Sequence, residues 1–363
     1  DLRKKAAIKR VLGPLLVRRI LASAAAIVCS TQREAGHLVT YGASFKTEIL
    51  AGPVRPKGQG DRTRFRKRWG IGDAGFVFLF MSRIDYKKGL DIILPAFAKF
   101  RRTFPRAKLV IAGSGTNDFE RLVKRSVRDL GCEESIIFTG FLSGEEKADA
   151  FAGSDCFCLP SRNENFGHAV VESLFYGLPV IITNEVYIDN VIAEHDCGWI
   201  CAYDSEALEK LFTHIANSPA ELRRKREGAG AAAPRFTVRA LLPHYRELVT
   251  TYARERLESR VGEREQVEEG RPELITPLRL DILHIQGLFS AEHGGPAYSL
   301  ANACVEQARL GHNVTVRVLE GHANTSPARR LPANIRQGVC RVNFPEKLGY
   351  SKEFWRLLEQ DRT

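Results

Sequence analysis

Short apolar runs alternate with helix-length amphipathic segments along most of the chain. The apolar runs predict strands at Ala26–Ser30, Thr47–Leu50, Phe76–Ser82, Lys108–Ala112, Ser135–Phe138, Asp155–Leu159 and Pro179–Thr183. The segments between them include predicted helices at Leu90–Arg102, Asp118–Leu130, Glu145–Phe151 and Ala169–Tyr176. Short buried strands separated by helices of about 10–15 residues are typical of βαβ units. The pattern therefore predicts an α/β fold with a parallel sheet and helices on both faces.

The pattern changes after Thr250. Residues 251–273 contain five Arg and seven Glu with few apolar positions, which predicts an exposed helix tail followed by a linker. A second βα pattern then begins, with predicted strands at Arg279–Ile285 and Asn313–Val318 and a loop and helix over 294–310. We expect this second Rossmann-like domain to be incomplete at Thr363.

Composition narrows the class of protein. A chain of 363 residues with 44% hydrophobic residues fits roughly two globular domains of about 150 residues each. No apolar run reaches the roughly 18 residues that predict a membrane-spanning helix. The eight Cys form no C-x-x-C pair and favour a reduced compartment, and we interpret Cys156 and Cys158 as buried thiols in a strand.

The positive charge is concentrated at the start of the chain. The net charge is +11, and residues 1–50 contain nine Lys or Arg against three Asp or Glu. Most of these cations lie in a stretch of alternating apolar and basic residues that ends near Ala26. This pattern fits either a solvated helix face or peripheral contact with anionic lipid headgroups. Nucleic acid is disfavoured because no aromatic residues are interleaved with the charges.

The densest chemical signal runs from Pro160 to Val180. It reads Pro-Ser-Arg-Asn-Glu-Asn-Phe-Gly-His-Ala-Val-Val-Glu, followed by a closing Gly-Leu-Pro-Val. The segment follows a predicted strand and leads into a helix, so the turn after Gly167 presents free backbone N–H groups. Glu164 precedes the helix and Glu172 lies within it. Two carboxylates without a basic neighbour in the motif favour hydroxyl groups as hydrogen-bond partners.

Two cations follow an earlier strand. Arg83 comes at the end of the predicted strand Phe76–Ser82, and Lys88 immediately precedes the glycine that opens the next helix. Both can reach a diphosphate at the strand ends and would stabilise a departing nucleoside diphosphate without a metal ion. Gly113-Ser-Gly115 also follows a strand, but Asp118 replaces the third glycine of a dinucleotide fingerprint. A nicotinamide-dependent dehydrogenase is therefore disfavoured.

These motifs together resemble the retaining glycosyltransferases of family 4, which have the GT-B fold. The resemblance rests on the Glu164-x7-Glu172 spacing, the Arg83-x4-Lys88-Gly donor motif, Leu109-Val-Ile-Ala-Gly-Ser-Gly115 and Phe138-Thr-Gly140. It covers about residues 15–250. It implies a GT-B type α/β fold and transfer of a hexose from a nucleotide sugar.

The resemblance also implies roles for individual residues. It assigns Arg83 and Lys88 to the pyrophosphate, Glu172 to the ribose, and Glu164 with the backbone of Phe166 and Gly167 to the donor sugar. We count Glu164, Arg83 and Lys88 as catalytic candidates. The other donor-binding candidates are Gly115, Gly140 and Asn165. No metal or other cofactor is expected, since the chain contains no Asp-x-Asp pair and the nucleotide sugar is a substrate.

A second segment resembles the first βα turn of the same family's N-terminal domain. It follows the predicted strand Arg279–Ile285 and contains Gly294 and Gly295, which permit close backbone approach to a ligand. We therefore include both glycines among the donor-binding candidates. A plain connecting loop is the alternative interpretation.

The two halves stand in the reverse of the family's order. We expect residues 1–50 to be the end of an acceptor-type domain, 51–250 the donor-binding domain, 251–277 a charged helix tail and linker, and 278–363 the beginning of a second N-terminal domain. The family's His-x-His segment is not found. A fragment of a tandem two-transferase polypeptide or a circular permutation would explain this order, and we favour the tandem fragment.

The sequence thus predicts a hexosyltransferase that acts with retention in polysaccharide or cell-envelope glycan biosynthesis. Its expected partners are a nucleotide sugar and a glycan or lipid-linked acceptor, without nucleic acid. We expect a cytoplasmic location, and peripheral contact with the anionic inner face of the membrane is one of the two interpretations of the basic stretch. We expect this chain alone to bind donor but to transfer little or no sugar. The alternatives are a non-catalytic donor-binding scaffold domain and a sugar phosphorylase of the same fold.

Overall fold

The computed structural model describes residues 21–22, 24–41, 45–56, 58–264, 281–286, 304–305, 308–309, 313–320 and 335–341. Backbone contacts group the chain into two compact units. One unit consists of the described parts of Cys29–His37 and Ile49–Leu241. The other consists of the described parts of Asp1–Val28, Leu38–Glu48 and Leu242–Thr363.

The secondary structure alternates between strands and helices, as the hydrophobic pattern predicts. The strands are β1 Ile27–Cys29, β2 Thr47–Ile49, β3 Val77–Met81, β4 Lys108–Ala112, β5 Ile136–Gly140, β6 Cys156–Leu159, β7 Val180–Thr183, β8 Gly198–Cys201, β9 Asp281–Gln286, β10 Asn313–Glu320 and β11 Ile335–Arg341. The α-helices are α1 Gln32–His37, α2 Arg62–Arg68, α3 Leu90–Thr103, α4 Asn117–Asp129, α5 Gly144–Gly153, α6 His168–Leu174, α7 Asp189–Glu194, α8 Ser205–Asn217, α9 Pro219–Ala232 and α10 Val238–Arg264. Short 3₁₀ turns lie at Leu38–Tyr41, Tyr86–Lys88, Glu133–Ser135 and Ala233–Phe236.

A parallel sheet forms the centre of the unit that contains Ile49–Leu241. Its strand order is β5-β4-β3-β6-β7-β8, and every neighbouring pair is parallel. Counted from β3, this is the 3-2-1-4-5-6 order of doubly wound nucleotide-binding sheets. The chain reverses its direction of travel across the sheet between β3 and β6. In such folds, ligands bind outside the carboxyl ends of the strands at that switch point.

Helices cover both faces of this sheet. On one face, the ring of Phe78 in β3 lies 4.2 Å from Phe212 of α8 and 5.5 Å from Phe100 of α3, measured between ring centroids. Phe157 of β6 pairs with the residue that follows Phe78 and therefore faces the opposite side. There it packs against Phe151 of α5, with ring centroids 6.0 Å apart. The α/β fold class predicted from the sequence is confirmed.

The predicted strands of this sheet agree with the observed ones to within two residues. Lys108–Ala112 has the bounds that the sequence predicts, while β5 extends to Gly140 rather than ending at Phe138. Strand β8 was not predicted, and its four residues include an N-terminal glycine. This strand pairs with β7 at the edge of the sheet, and Gly198 is the buried residue among its four, so it lacks the continuous burial of the central strands.

The other unit contains a parallel sheet of order β11-β10-β9. Two of its strands correspond to those predicted at Arg279–Ile285 and Asn313–Val318, whereas β11 was not predicted. The predicted charged helix tail is present, because α10 continues to Arg264. Residues 265–277 of the predicted linker, and both Gly294 and Gly295, lie outside the described residues. Among the helices that are described, none is both long and apolar enough to cross a membrane.

Candidate functional site

The loops that follow β3 and β6 meet at the switch point of the larger sheet. The backbone N–H of Arg162 donates to the carbonyl oxygen of Lys87 at 2.8 Å. A Cβ atom at Gly89 would lie 2.2 Å from the carbonyl oxygen of Pro160, and the φ of Gly89 is +83°. Only glycine fits a backbone approach this close in the left-handed conformation. The two loops that carry Lys88 and Glu164 are therefore packed backbone against backbone.

The loop after β4 is packed in the same way against the loop after β3. A Cβ atom at Gly113 would lie 1.9 Å from the Ser82 oxygen, and one at Gly115 would lie 2.2 Å from the Ile84 oxygen. The N–H of Gly115 donates to the Glu120 carboxylate at 2.6 Å. Gly115 thus brings two loops together, and its own N–H already has a partner in the protein.

Lys88 and Glu164 form an ion pair across the switch point. The Lys88 Nζ donates to Glu164 Oε2, and the two side chains are 13% and 21% exposed. Glu164 is also held through its backbone, because its N–H donates to the Glu185 oxygen at 2.9 Å and its oxygen accepts from the Tyr187 N–H at 3.0 Å. A partly buried pair of this kind is screened by water less than a surface pair. Lys88, which the resemblance assigns to the diphosphate, and Glu164, which it assigns to the donor sugar, are thus direct neighbours.

Helix α6 carries the second half of the motif. It begins at His168 immediately after Gly167, which has φ +66°. A Cβ atom at Gly167 would lie 3.1 Å from Val170 Cγ2 and 3.3 Å from Val186 Cγ1, so this turn is also tightly packed. Glu172 follows one helical turn after His168, and the two residues therefore lie on the same face of α6.

Each carboxylate of the motif has a lysine partner that comes from another part of the chain. Glu172 Oε2 accepts from Lys147 Nζ of helix α5 at 2.5 Å, and these side chains are 23% and 30% exposed. No Lys or Arg lies between Glu164 and Glu172 in the sequence, but the expectation of two carboxylates without a basic neighbour is wrong for the folded protein, where each has a lysine partner. Lys147 was missed because nothing in its local sequence connects α5 to the motif.

His168 lies among these charges and was also missed. Burial lowers its pKa, and the Lys147 cation lowers it further, while the Glu172 and Glu164 carboxylates act in the opposite direction. Its ring meets Phe166 edge-on at 5.0 Å between centroids. The sequence feature that could have identified His168 as a site residue is its position between Glu164 and Glu172. The net effect of these neighbours is a His168 imidazole that is neutral at neutral pH.

The other predicted site residues differ in their contacts. Arg83 directly follows β3, and its exposed side chain forms no hydrogen bond or ion pair with any described residue. Asn165 Oδ1 accepts from the Thr31 hydroxyl at 3.3 Å. Gly140 ends β5 with φ +71° and open space where a Cβ atom would lie, while its carbonyl accepts from the Gly113 N–H.

The thiols of β6 are structural. Cys156 and Cys158 are fully buried, and burial raises the pKa of both thiols well above the ordinary value. Their interpretation as buried thiols is confirmed.

Within the described ranges, no three His, Cys, Asp or Glu side chains lie close enough together to hold a metal ion.

The family comparison covers the segment that carries this cluster. Residues 61–232 match the family described as glycosyl transferases group 1. This segment is therefore similar to glycosyl transferases group 1. The matched segment contains Arg83, Lys88, Lys147, Glu164 and Glu172.

Curated relatives extend the similarity. The chain is 30% identical to alpha-monoglucosyldiacylglycerol synthase of Streptococcus pneumoniae over 192 residues, which cover 50% of this chain and 43% of that protein. It is 31% identical to D-inositol 3-phosphate glycosyltransferase of Acidothermus cellulolyticus over 279 residues, or 70% of this chain and 60% of that protein. The chain spans about half the length of the curated relatives it matches.

Solved structures with a similar fold include a glycosyltransferase. Anabaena HepE in complex with UDP and glucose superposes with a TM-score of 0.60 at 19% identity, over 65% of this chain and 66% of that one. WaaG, a glycosyltransferase involved in lipopolysaccharide biosynthesis, gives a TM-score of 0.52 at 19% identity, over 57% and 58%. At this identity the likeness shows the fold alone, which is an α/β fold of the type found in GT-B glycosyltransferases.

Proposed function

We propose that this protein transfers a hexose from a nucleoside diphosphate sugar to a glycan or glycolipid acceptor with retention of configuration. The observation that carries the proposal is the Lys88–Glu164 pair at the switch point between β3 and β6. It joins a cation suited to a diphosphate to a carboxylate suited to sugar hydroxyls. A site of this composition fits the diphosphate and the sugar of a nucleotide sugar.

Two cations, Arg83 and Lys88, would bind the diphosphate. Arg83 is exposed, and the Lys88 ammonium has three donors, of which its bond to Glu164 uses one, so both cations can donate to an arriving diphosphate. Positive charge fixed at this position stabilises the negative charge that develops on the leaving nucleoside diphosphate. This role requires no metal ion, and we propose metal-independent donor binding.

Two carboxylates, Glu164 and Glu172, would accept hydrogen bonds from hydroxyl groups of the donor. Glu172 accepts from the ribose, while Glu164 and the backbone of Phe166 and Gly167 position the donor sugar. An ionised carboxylate offers about four lone-pair directions, so each glutamate can keep its lysine and still accept from hydroxyls. Asn165 and Gly140 border this donor position, and Gly115 shapes it by holding two loops together.

The acceptor is proposed from the named relatives. They include an alpha-monoglucosyldiacylglycerol synthase and a D-inositol 3-phosphate glycosyltransferase, whose names contain a glycolipid and a polar inositol phosphate. A lipid-linked acceptor would agree with peripheral contact between residues 1–26 and the cytoplasmic face of an anionic membrane. Most of those residues lie outside the described residues, so this contact rests on their charge pattern alone.

The donor assignment is tested by calorimetric titration of the protein with UDP-, GDP- and ADP-sugars, with and without a chelator. We expect one nucleotide sugar to bind with the same affinity in both conditions. Binding that disappears with the chelator would contradict the metal-independent assignment, and absence of binding to the whole panel would contradict the function.

Transfer is tested with the labelled donor and with lipid and glycan acceptor pools, followed by NMR of the product's anomeric configuration. A product that keeps the donor configuration supports the proposal. Binding without transfer to either pool would agree with the expectation that this chain alone transfers little or no sugar, and it would limit the function of this chain to donor binding. Sugar release that requires inorganic phosphate would favour the phosphorylase.

A further inference from the structure

Lys147 is a partly buried cation in the site that the donor roles above leave unused. It lies on α5, which connects β5 to β6, whereas its partner Glu172 lies on α6 after β6. The Nζ–Oε2 distance of 2.5 Å makes this a direct charge-assisted hydrogen bond rather than a long-range attraction. It therefore links two helices at the carboxylate that we assign to the ribose.

The contact engages one oxygen of Glu172 and leaves the other without a hydrogen bond to any described residue. His168 is the other charged or titratable neighbour on the same face of α6, and its lowered pKa keeps it uncharged at neutral pH. Lys147 is thus the cation that determines where the Glu172 carboxylate lies. The remaining lone pairs can accept from a pair of neighbouring hydroxyls.

We propose that Lys147 is a positioning residue that orients Glu172 for the vicinal hydroxyls of the donor ribose. This inference rests on the proposed function and specifies which part of the nucleotide Lys147 serves. A glutamate side chain free to rotate would have to be ordered when the donor binds, at a cost in affinity. Lys147 orders it beforehand, so the ribose hydroxyls gain the full hydrogen-bond energy.

The experiment measures four affinities, those of two protein variants for two ligands, as in a double-mutant cycle. The nucleoside diphosphate that binds best in a UDP, GDP and ADP panel is compared with its 2′-deoxy form, against the wild type and Lys147→Met. In the wild type, loss of the hydroxyl weakens binding about tenfold, as expected for a hydrogen bond to a charged group. In Lys147→Met, the same loss weakens binding less than about threefold, because Glu172 is no longer held.

Two further variants separate positioning from folding. Lys147→Arg keeps a cation and a donor and should restore most of the ribose dependence. Lys124→Met is the matched control, since this lysine lies on α4 and contacts Glu120 of its own helix. The control should keep the tenfold dependence. Thermal unfolding of each variant establishes that it is folded.

The outcomes are distinct. Equal tenfold losses in the wild type and in folded Lys147→Met would overturn the inference while leaving the proposed function in place. A wild type that binds the ribo and deoxyribo forms equally would overturn the ribose role of Glu172, and the inference with it. If no nucleoside diphosphate binds the wild type, the proposed function itself fails.

Discussion

Single glycines determine how closely the loops of the site can approach. Gly89 combines φ +83° with a position where a methyl group would meet the carbonyl oxygen of Pro160 at 2.2 Å. Gly131 has a similar φ of +61° but nothing within 4 Å of the same position. The two residues therefore separate the cost of a left-handed backbone from the cost of a steric clash.

Gly131→Ala should lower the free energy of unfolding by about 1 kcal/mol, which is the cost of a left-handed conformation for alanine. Gly89→Ala should lower it by about 1–3 kcal/mol more, because the two loops must move apart. Denaturant unfolding of both variants measures the difference. Equal losses would show that the approach of Gly89 to Pro160 is not tight in solution.

His168 makes the stability depend on pH. In the unfolded chain its pKa is near 6.5, and in the folded protein it is lower because the ring is buried. Between these two values the unfolded chain binds the proton and the folded one does not, so stability falls as the pH falls through this window. At higher pH the His168 contribution is constant.

We expect the NMR titration of the His168 ring to give a pKa below 6.5 and Lys147→Met to raise it, since the lysine cation lowers it. Denaturant unfolding of His168→Gln should show a smaller loss of stability below pH 6.5 than the wild type. A His168 pKa at or above 6.5 would contradict the buried, uncharged ring.

At the scale of elements, one carboxylate connects four of them. Asp155 accepts from the N–H of Val77 in β3 at 2.9 Å and pairs with Arg62 and Arg66 of α2 and Arg226 of α9, at 2.9, 2.8 and 3.3 Å. Arg66 is only 2% exposed. Asp155 itself immediately precedes β6, so the contacts join two helices to two strands.

Asp155→Asn should lower the free energy of unfolding by about 3–5 kcal/mol, because it leaves a buried guanidinium without its counter-charge. Asp129→Asn is the matched control, since Asp129 pairs with Arg125 at 3.9 Å with both side chains about 70% exposed. Its loss should stay below about 1 kcal/mol. Similar losses in the two variants would show that the Asp155 cluster is solvated.

The sequence predicts elements well where burial gives a clear pattern, as for Lys108–Ala112. It predicts the partners in the site less well. Lys88 and Glu164 could be assigned to one crevice, because both follow strands whose carboxyl ends share an edge of the sheet. Lys147 could not, because its contact with Glu172 depends on how α5 packs beside α6. Residues distant along the chain acquire this relation only when the crossover from β5 to β6 is folded.

At the scale of the whole molecule, the order of the strands determines where chemistry can occur. The switch point between β3 and β6 brings the loops after both strands together, and the Lys88–Glu164 pair spans them. The proposed function therefore requires that the Lys88 cation at this point binds the diphosphate of a nucleotide sugar. The adjacent Lys87 is exposed and provides a control one residue away.

The most direct test is calorimetric titration of Lys88→Ala and Lys87→Ala with the best-binding nucleoside diphosphate and its nucleotide sugar, in the presence of a chelator. We expect Lys88→Ala to weaken the binding of both ligands alike, by about tenfold or more, because a charge-assisted hydrogen bond to phosphate is lost. Lys87→Ala should bind like the wild type. Unchanged affinity in folded Lys88→Ala, or equal losses in the two variants, would contradict the assignment of the diphosphate to this switch point.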